Sequence, residues 1–124
     1  MTVQNYRELN VWQKAMDLTA EIYMLAKKLP KEETYALSDQ MRRAAVSIPS
    51  NIAEGQARNS TKEFIQFLSI AKGSNAALET QLLLCVKIGY LIDTDIKQSM
   101  QMIEEIRKMI LSLMKKLLLE GSKQ

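Results

Sequence analysis

Apolar residues recur at steps of three and four in four successive blocks of the chain, the spacing of amphipathic helices. In the first block, about Leu9 to Lys28, Trp12, Met16, Thr19, Tyr23 and Ala26 form one seam, and Ala15, Leu18, Ile22, Leu25 and Leu29 form a second beside it. Two adjacent seams make a face wide enough for two neighbours, and Pro30 ends the helix. In the second block Leu37, Met41, Ala44, Ala45 and Ile48 run into Ile52 and Ala53 across Pro49. A proline inside a helix withholds a hydrogen bond and crowds the carbonyl four residues back. The pattern therefore predicts a helix kinked at Pro49, or restarted there with Ser47 as cap, weakened at Gly55 and ending near Ala57.

The third block opens on Ser60-Thr61-Lys62-Glu63, a capping box. Its helix is expected from Thr61 to Ile88, with the heptad seam Phe64, Leu68, Ala71, Asn75, Leu78, Leu82 and Cys85. Such a seam favours left-handed bundle packing at a crossing angle near 20°. Asn75 needs a hydrogen-bond partner if buried, the small residues Gly73, Ser74, Ala76 and Ala77 admit close approach of another helix, and Gly89 suits a left-handed stop. The fourth block, about Thr94 to Leu119, has Asp93 as candidate N-cap and the inward seam Ile96, Ile103, Ile106, Ile110, Leu113 and Leu117. Met100, Met102, Met109, Leu111, Met114, Leu118 and Leu119 fall elsewhere around this helix, more apolar side chains than a solitary bundle covers. Short connections favour antiparallel neighbours. The expected fold is an all-α, antiparallel up-down-up-down four-helix bundle with the second helix kinked at Pro49. Residues 1–8 would form an N-terminal arm, 9–120 the single bundle domain and 121–124 a flexible tail.

Composition narrows the chemistry more than it extends it. A chain of 124 residues with 47% hydrophobic content, four glycines and two prolines suits one helical domain. There is no histidine, which excludes imidazole acid–base catalysis, Ser-His-Asp and Cys-His triads, and the Glu-x-x-His pairs of di-iron bundles. Neither a Walker nor a Rossmann glycine loop is present. The one cysteine, Cys85, sits on an apolar seam and excludes an internal disulfide. No catalytic residue, metal or cofactor is expected. The chain shows no signal peptide and no apolar run near the ~18 residues that span a bilayer, so a cytoplasmic protein is expected.

The run RRAAVSIPSNIAEGQARNSTKEFIQFLSIAKGS, with LNVWQKAMDLTAEIY before it and ETQLLLCVKIGYL after it, resembles the four-helix-bundle family of 23S rRNA intervening-sequence proteins. The resemblance covers roughly Leu9 to Leu91. It implies a bacterial ring-shaped homo-oligomer, often a pentamer, and no catalytic residues. Some members of that family are encoded in inserts within large-subunit ribosomal RNA genes, and a related branch accompanies retroelement reverse transcriptases, where contact with nucleic acid is implied.

The charge permits such contact without demanding it. Seventeen basic and fourteen acidic residues leave +3, mild for a dedicated nucleic-acid binder, although a ring of five would carry about +15. Arg42, Arg43, Arg58, Lys62, Arg107, Lys108, Lys115 and Lys116 are the candidate phosphate contacts; the plainer alternative is a solvated face. Met100, Met102, Met109, Leu111, Met114 and Leu118 are the candidate oligomer interface. Gln40, Arg43, Ser47, Pro49, Asn51 and Glu54 form a polar motif on the second helix. Arg43 and Glu54 lie about 16 Å apart along it, so each is expected to find its partner on another helix, another subunit or a ligand. The expected partners are further copies of the chain and RNA or DNA, with a protein-interaction scaffold free of any nucleic-acid role as the alternative.

Overall fold

The structure is a computed structural model that describes residues 5–122. Its helices are α1, Asn10–Ala26; α2, Leu37–Ala57; α3, Thr61–Ile88; and α4, Asp93–Ser122, with 3-10 turns at Tyr6–Glu8 and Lys31–Glu33. Among the described residues there is no strand. Each helix packs on its neighbours in sequence and α1 closes on α4, with no close backbone approach across either diagonal. This is the square up-down-up-down bundle that the four blocks predict.

The α3 seam is buried at every position from Phe64 to Cys85. Ser60 accepts the Glu63 N–H at 3.0 Å at its start, and Gly89 ends it at φ +98°. On α4 the buried stripe is Ile96, Ser99, Ile103, Ile106, Ile110 and Leu117 with Leu113 half-buried. Ser99 fills the step between Ile96 and Ile103, and a search for apolar residues passes over it. At the start of α4 it is Asp95, not Asp93, that carries a bond: its carboxylate accepts the Ile92 N–H at 3.0 Å. On α1 the second seam is buried throughout, and Val11 joins it. The first seam is only partly covered, because Met16 and Tyr23 stand exposed on the outer side of the helix.

For α2 the structure sets aside the restart at Pro49 and gives Gly55 a packing role. Helix α2 runs as one element through the buried Pro49 and does not restart there. The Ala45 carbonyl, which Pro49 deprives of a donor, lies 3.0 Å from the Thr19 hydroxyl of α1. That hydroxyl is also 2.8 Å from the Ala15 carbonyl, so one proton serves two acceptors. Gly55 marks closeness rather than weakness. A Cβ there would stand 2.6 Å from Phe67 Cβ and 3.1 Å from Phe64 Cδ1 of α3, so glycine is what lets the two backbones meet.

The described residues reach into the expected arm and the expected tail. Asn5 caps the Tyr6–Glu8 turn, and the Tyr6 ring meets Trp12 edge-on at 5.3 Å. Helix α4 continues through Ser122. The rest of the expected arm, residues 1–4, and of the tail, 123 and 124, lies outside the described residues. No helix among the described residues is long and apolar enough to cross a membrane.

Candidate nucleic-acid interface

The eight basic candidates separate into arginines held by local carboxylates and lysines that are not. Arg43 Nε donates to Asp39 at 2.9 Å, and Arg58 to Glu54 at 2.7 Å, each across one helical turn. Arg58 also lies 5.0 Å over the Phe67 ring. Arg42 donates to the Thr34 carbonyl at 3.0 Å and lies 3.8 Å from Asp39. Arg107 grips Glu104 through Nε at 2.8 Å and through a second guanidinium nitrogen. That hydrogen bond holds the Glu104 carboxyl below its ordinary pKa and pushes Arg107 up. Lys62, Lys108, Lys115 and Lys116 are exposed and make no ion pair with any described residue.

Position divides the same set again. Arg42 and Arg43 sit near the start of α2, beside the first connection. The end of α4 lies against the start of α3, since a Cβ on Gly121 would stand 3.8 Å from Thr61 Cγ2. Lys62, Lys115 and Lys116 therefore share the opposite end of the bundle. Lys108 and Lys116 line one groove with Leu9, Asn10, Val11 and Ser112. This groove faces the start of α1, where the N-cap residue Leu9 supplies no side-chain acceptor. The positive end of that helix adds to the lysine charge.

The polar motif on α2 works inside the fold. Ser47 and Ser74 hydroxyls meet at 2.7 Å between α2 and α3, and Asn51 Nδ2 donates to the Ser47 carbonyl at 2.7 Å and its hydroxyl at 2.9 Å. Pro49 is buried, whereas Gln40, Arg43 and Glu54 are exposed. Contrary to the expectation of distant partners, Arg43 and Glu54 pair within α2, with Asp39 and Arg58. Pairs four apart face each other on a helix. The spacings Asp39–Arg43, Glu54–Arg58 and Glu104–Arg107 were the available signal, and all three acids were missed as partners.

The residues of the expected oligomer interface differ in exposure within one chain. Met100, Met102, Met109 and Met114 lie half-buried against the chain's own core, because methionine bends to fill gaps between helices. Leu111 and Leu118 remain exposed, Leu118 at 60%.

The other reactive side chains are tied into the fold. Cys85 donates to Met41 Sδ at 3.6 Å, and burial pushes its thiol up. Tyr90 donates to Glu33 at 2.8 Å, which raises the phenol, while the other Glu33 oxygen accepts the Leu37 N–H at 3.2 Å. Asp95 is held low by the Ile92 N–H and then by Lys28 at 3.1 Å. Among the described residues no three metal-ligating side chains gather.

Comparison with known proteins places this geometry. The family model described as 23S rRNA-intervening sequence protein matches residues 7–112. A solved structure from Bacteroides thetaiotaomicron, of a protein with unknown function from the S23 ribosomal protein family, superposes with a TM-score of 0.79 at 28% identity. The match covers 85% of this chain and 98% of that one. No curated protein matches the sequence.

Proposed function

The chain belongs to the 23S rRNA-intervening sequence protein family, and from that membership we propose that it serves as a non-catalytic subunit of a homo-oligomeric ring that holds nucleic acid by its phosphates. The observation that carries the reading is the sorting of the basic residues. Arg43, Arg58 and Arg107 are neutralised by carboxylates one turn away. Lys62, Lys108, Lys115 and Lys116 keep their charge for a partner outside the chain. One protomer offers few phosphate contacts, and assembly multiplies them, which suits a chain whose own net charge is only +3. Contact with backbone rather than bases is supported by the small number of aromatic rings, of which only Tyr23 and Tyr35 are exposed.

A salt titration of binding to single-stranded RNA and to duplex DNA tests this. Affinity should fall steeply as salt rises, by about 0.7 to 0.9 of a log unit per log unit of salt for each phosphate engaged. Replacing Lys108, Lys115 and Lys116 together by glutamine should flatten that slope. An absence of binding even at low salt would sink the reading. The second reading, a scaffold for another protein, is favoured by the exposed apolar side chains, and a pull-down scored for protein against nucleic acid separates the two.

A further inference from the structure

We propose that the groove between α3 and α4 binds a small zwitterion, the ammonium-and-carboxylate head of a free amino acid with an apolar side chain. The site uses none of Lys62, Lys108, Lys115 and Lys116, so it stands or falls apart from the nucleic-acid reading and from assembly.

The groove holds about 300 Å³, the small end of the range for ligand pockets. Its α3 wall carries Lys72, Asn75 and Glu79, which the helical repeat sets in one stripe. Asn75 is 2% exposed. Its Nδ2 donates to the Ile103 carbonyl of α4 at 2.9 Å, and its Oδ1 has no partner. Turning the amide over would set oxygen against oxygen, so the orphan is the acceptor. Buried acceptors are nearly always satisfied, and within the chain this one is not. One turn to either side stand half-buried charges of opposite sign. Neither Lys72 nor Glu79 makes an ion pair or a side-chain hydrogen bond with a described residue. They lie about 10 Å apart along the helix axis. Arg107, on the α4 wall, is pushed up by the Glu104 hydrogen bond and further by the charges of Glu104 and Glu79. Glu104 holds it through two nitrogens, which leaves the Glu79 carboxylate open.

These groups select an occupant by sign. A phosphate would meet Glu79 and Glu104 and would leave Asn75 Oδ1 without a donor. A metal ion lacks ligands, since no three metal-ligating side chains gather among the described residues. A simple amine would leave Lys72 unanswered. An ammonium between Asn75 Oδ1 and Glu79 gives both acceptors a donor, and a carboxylate on the adjoining carbon faces Lys72, in charge-assisted hydrogen bonds at each end. Ala76, Ile103 and Leu111 line the remainder, an apolar surface for the side chain of the ligand.

Isothermal titration calorimetry of the full chain tests this, with L-alanine, L-valine, L-leucine, L-isoleucine, L-methionine and L-phenylalanine titrated in turn at millimolar concentration. At least one should bind. Its N-acetyl and its amide derivatives, each lacking one charge, should bind about tenfold more weakly or not at all. Glu79→Gln and Lys72→Gln should each weaken the same ligand about tenfold, with the helical circular dichroism unchanged. Binding of none of the six would mean that Asn75 Oδ1 takes only a water molecule, and would overturn the site. Binding that ignores both substitutions, or that survives acetylation of the amine undiminished, would overturn it as well.

Discussion

Pro49 takes away the backbone donor that the Ala45 carbonyl would otherwise meet, and the replacement comes from a different helix, as the Thr19 hydroxyl at 3.0 Å. A buried carbonyl left without a partner costs about 1–3 kcal/mol, so this side chain allows α2 to continue through a residue that normally ends helices. The second acceptor, Ala15 O, is a within-helix position that the Thr19 backbone N–H already serves, so losing the hydroxyl there matters less. Thr19→Val should therefore destabilise the bundle by about 1 kcal/mol in denaturant unfolding. In a Pro49→Ala background the backbone N–H of residue 49 becomes available to Ala45, and the cost of Thr19→Val should shrink toward zero. A double-mutant cycle isolates that coupling. Equal costs in the two backgrounds would show that the hydroxyl has no special relation to the proline.

At the scale of the helix, the same glycine supports opposite forecasts depending on what surrounds it. Propensity alone says that Gly55→Ala should stabilise α2 by about 1 kcal/mol. The packing says otherwise, because the added Cβ would fall 2.6 Å from Phe67 Cβ and 3.3 Å from the Phe64 carbonyl oxygen, neither of which is the free end of a side chain. Helices α2 and α3 would have to part, at about 1–3 kcal/mol for overpacking of this kind. A lowered melting temperature is expected, and a raised one would mean that the helices slide apart freely. This contrast shows where the sequence was legible. The α3 seam, its Ser60 cap and its Gly89 stop follow from periodicity and local chemistry, and the structure has them where the residues place them. Pro49 and Gly55 follow the local rule in every respect except the neighbour: Thr19 lies 26 residues from the Ala45 carbonyl that Pro49 leaves without a donor, and Phe67 lies 12 from Gly55. Ser99 was hidden for a related reason, since a polar residue breaks the pattern by which a core is found, and Thr19 was read as a seam position without its acceptor on α2. The paired arginines were readable at i+3 and i+4, but a search for phosphate contacts collects cations and passes over the acids one turn behind them.

For the whole molecule, the decisive question is whether charge acts chain by chain or only in the assembly. Of the eight basic candidates, Lys62, Lys108, Lys115 and Lys116 make no ion pair with a described residue, and three of these four share the end where α3 starts and α4 stops. Non-specific binding of nucleic acid grows with the number of phosphates engaged at once, so copies held side by side bind far more tightly than the same copies apart. Ala77→Arg separates the two accounts by sign. The substitution adds one positive charge per chain on α3, where no exposed position between residues 69 and 84 is charged. If binding depends only on local charge, affinity for RNA or DNA at fixed salt should rise. If binding depends on a ring that covers this face, the guanidinium disrupts assembly, the mass falls, and affinity should drop about tenfold or more despite the added charge, with a shallower salt slope. Measuring mass and affinity on the same sample decides it: a variant that stays assembled and binds more tightly would place the function in the lysines alone, and one that comes apart and binds more weakly would place it in the ring.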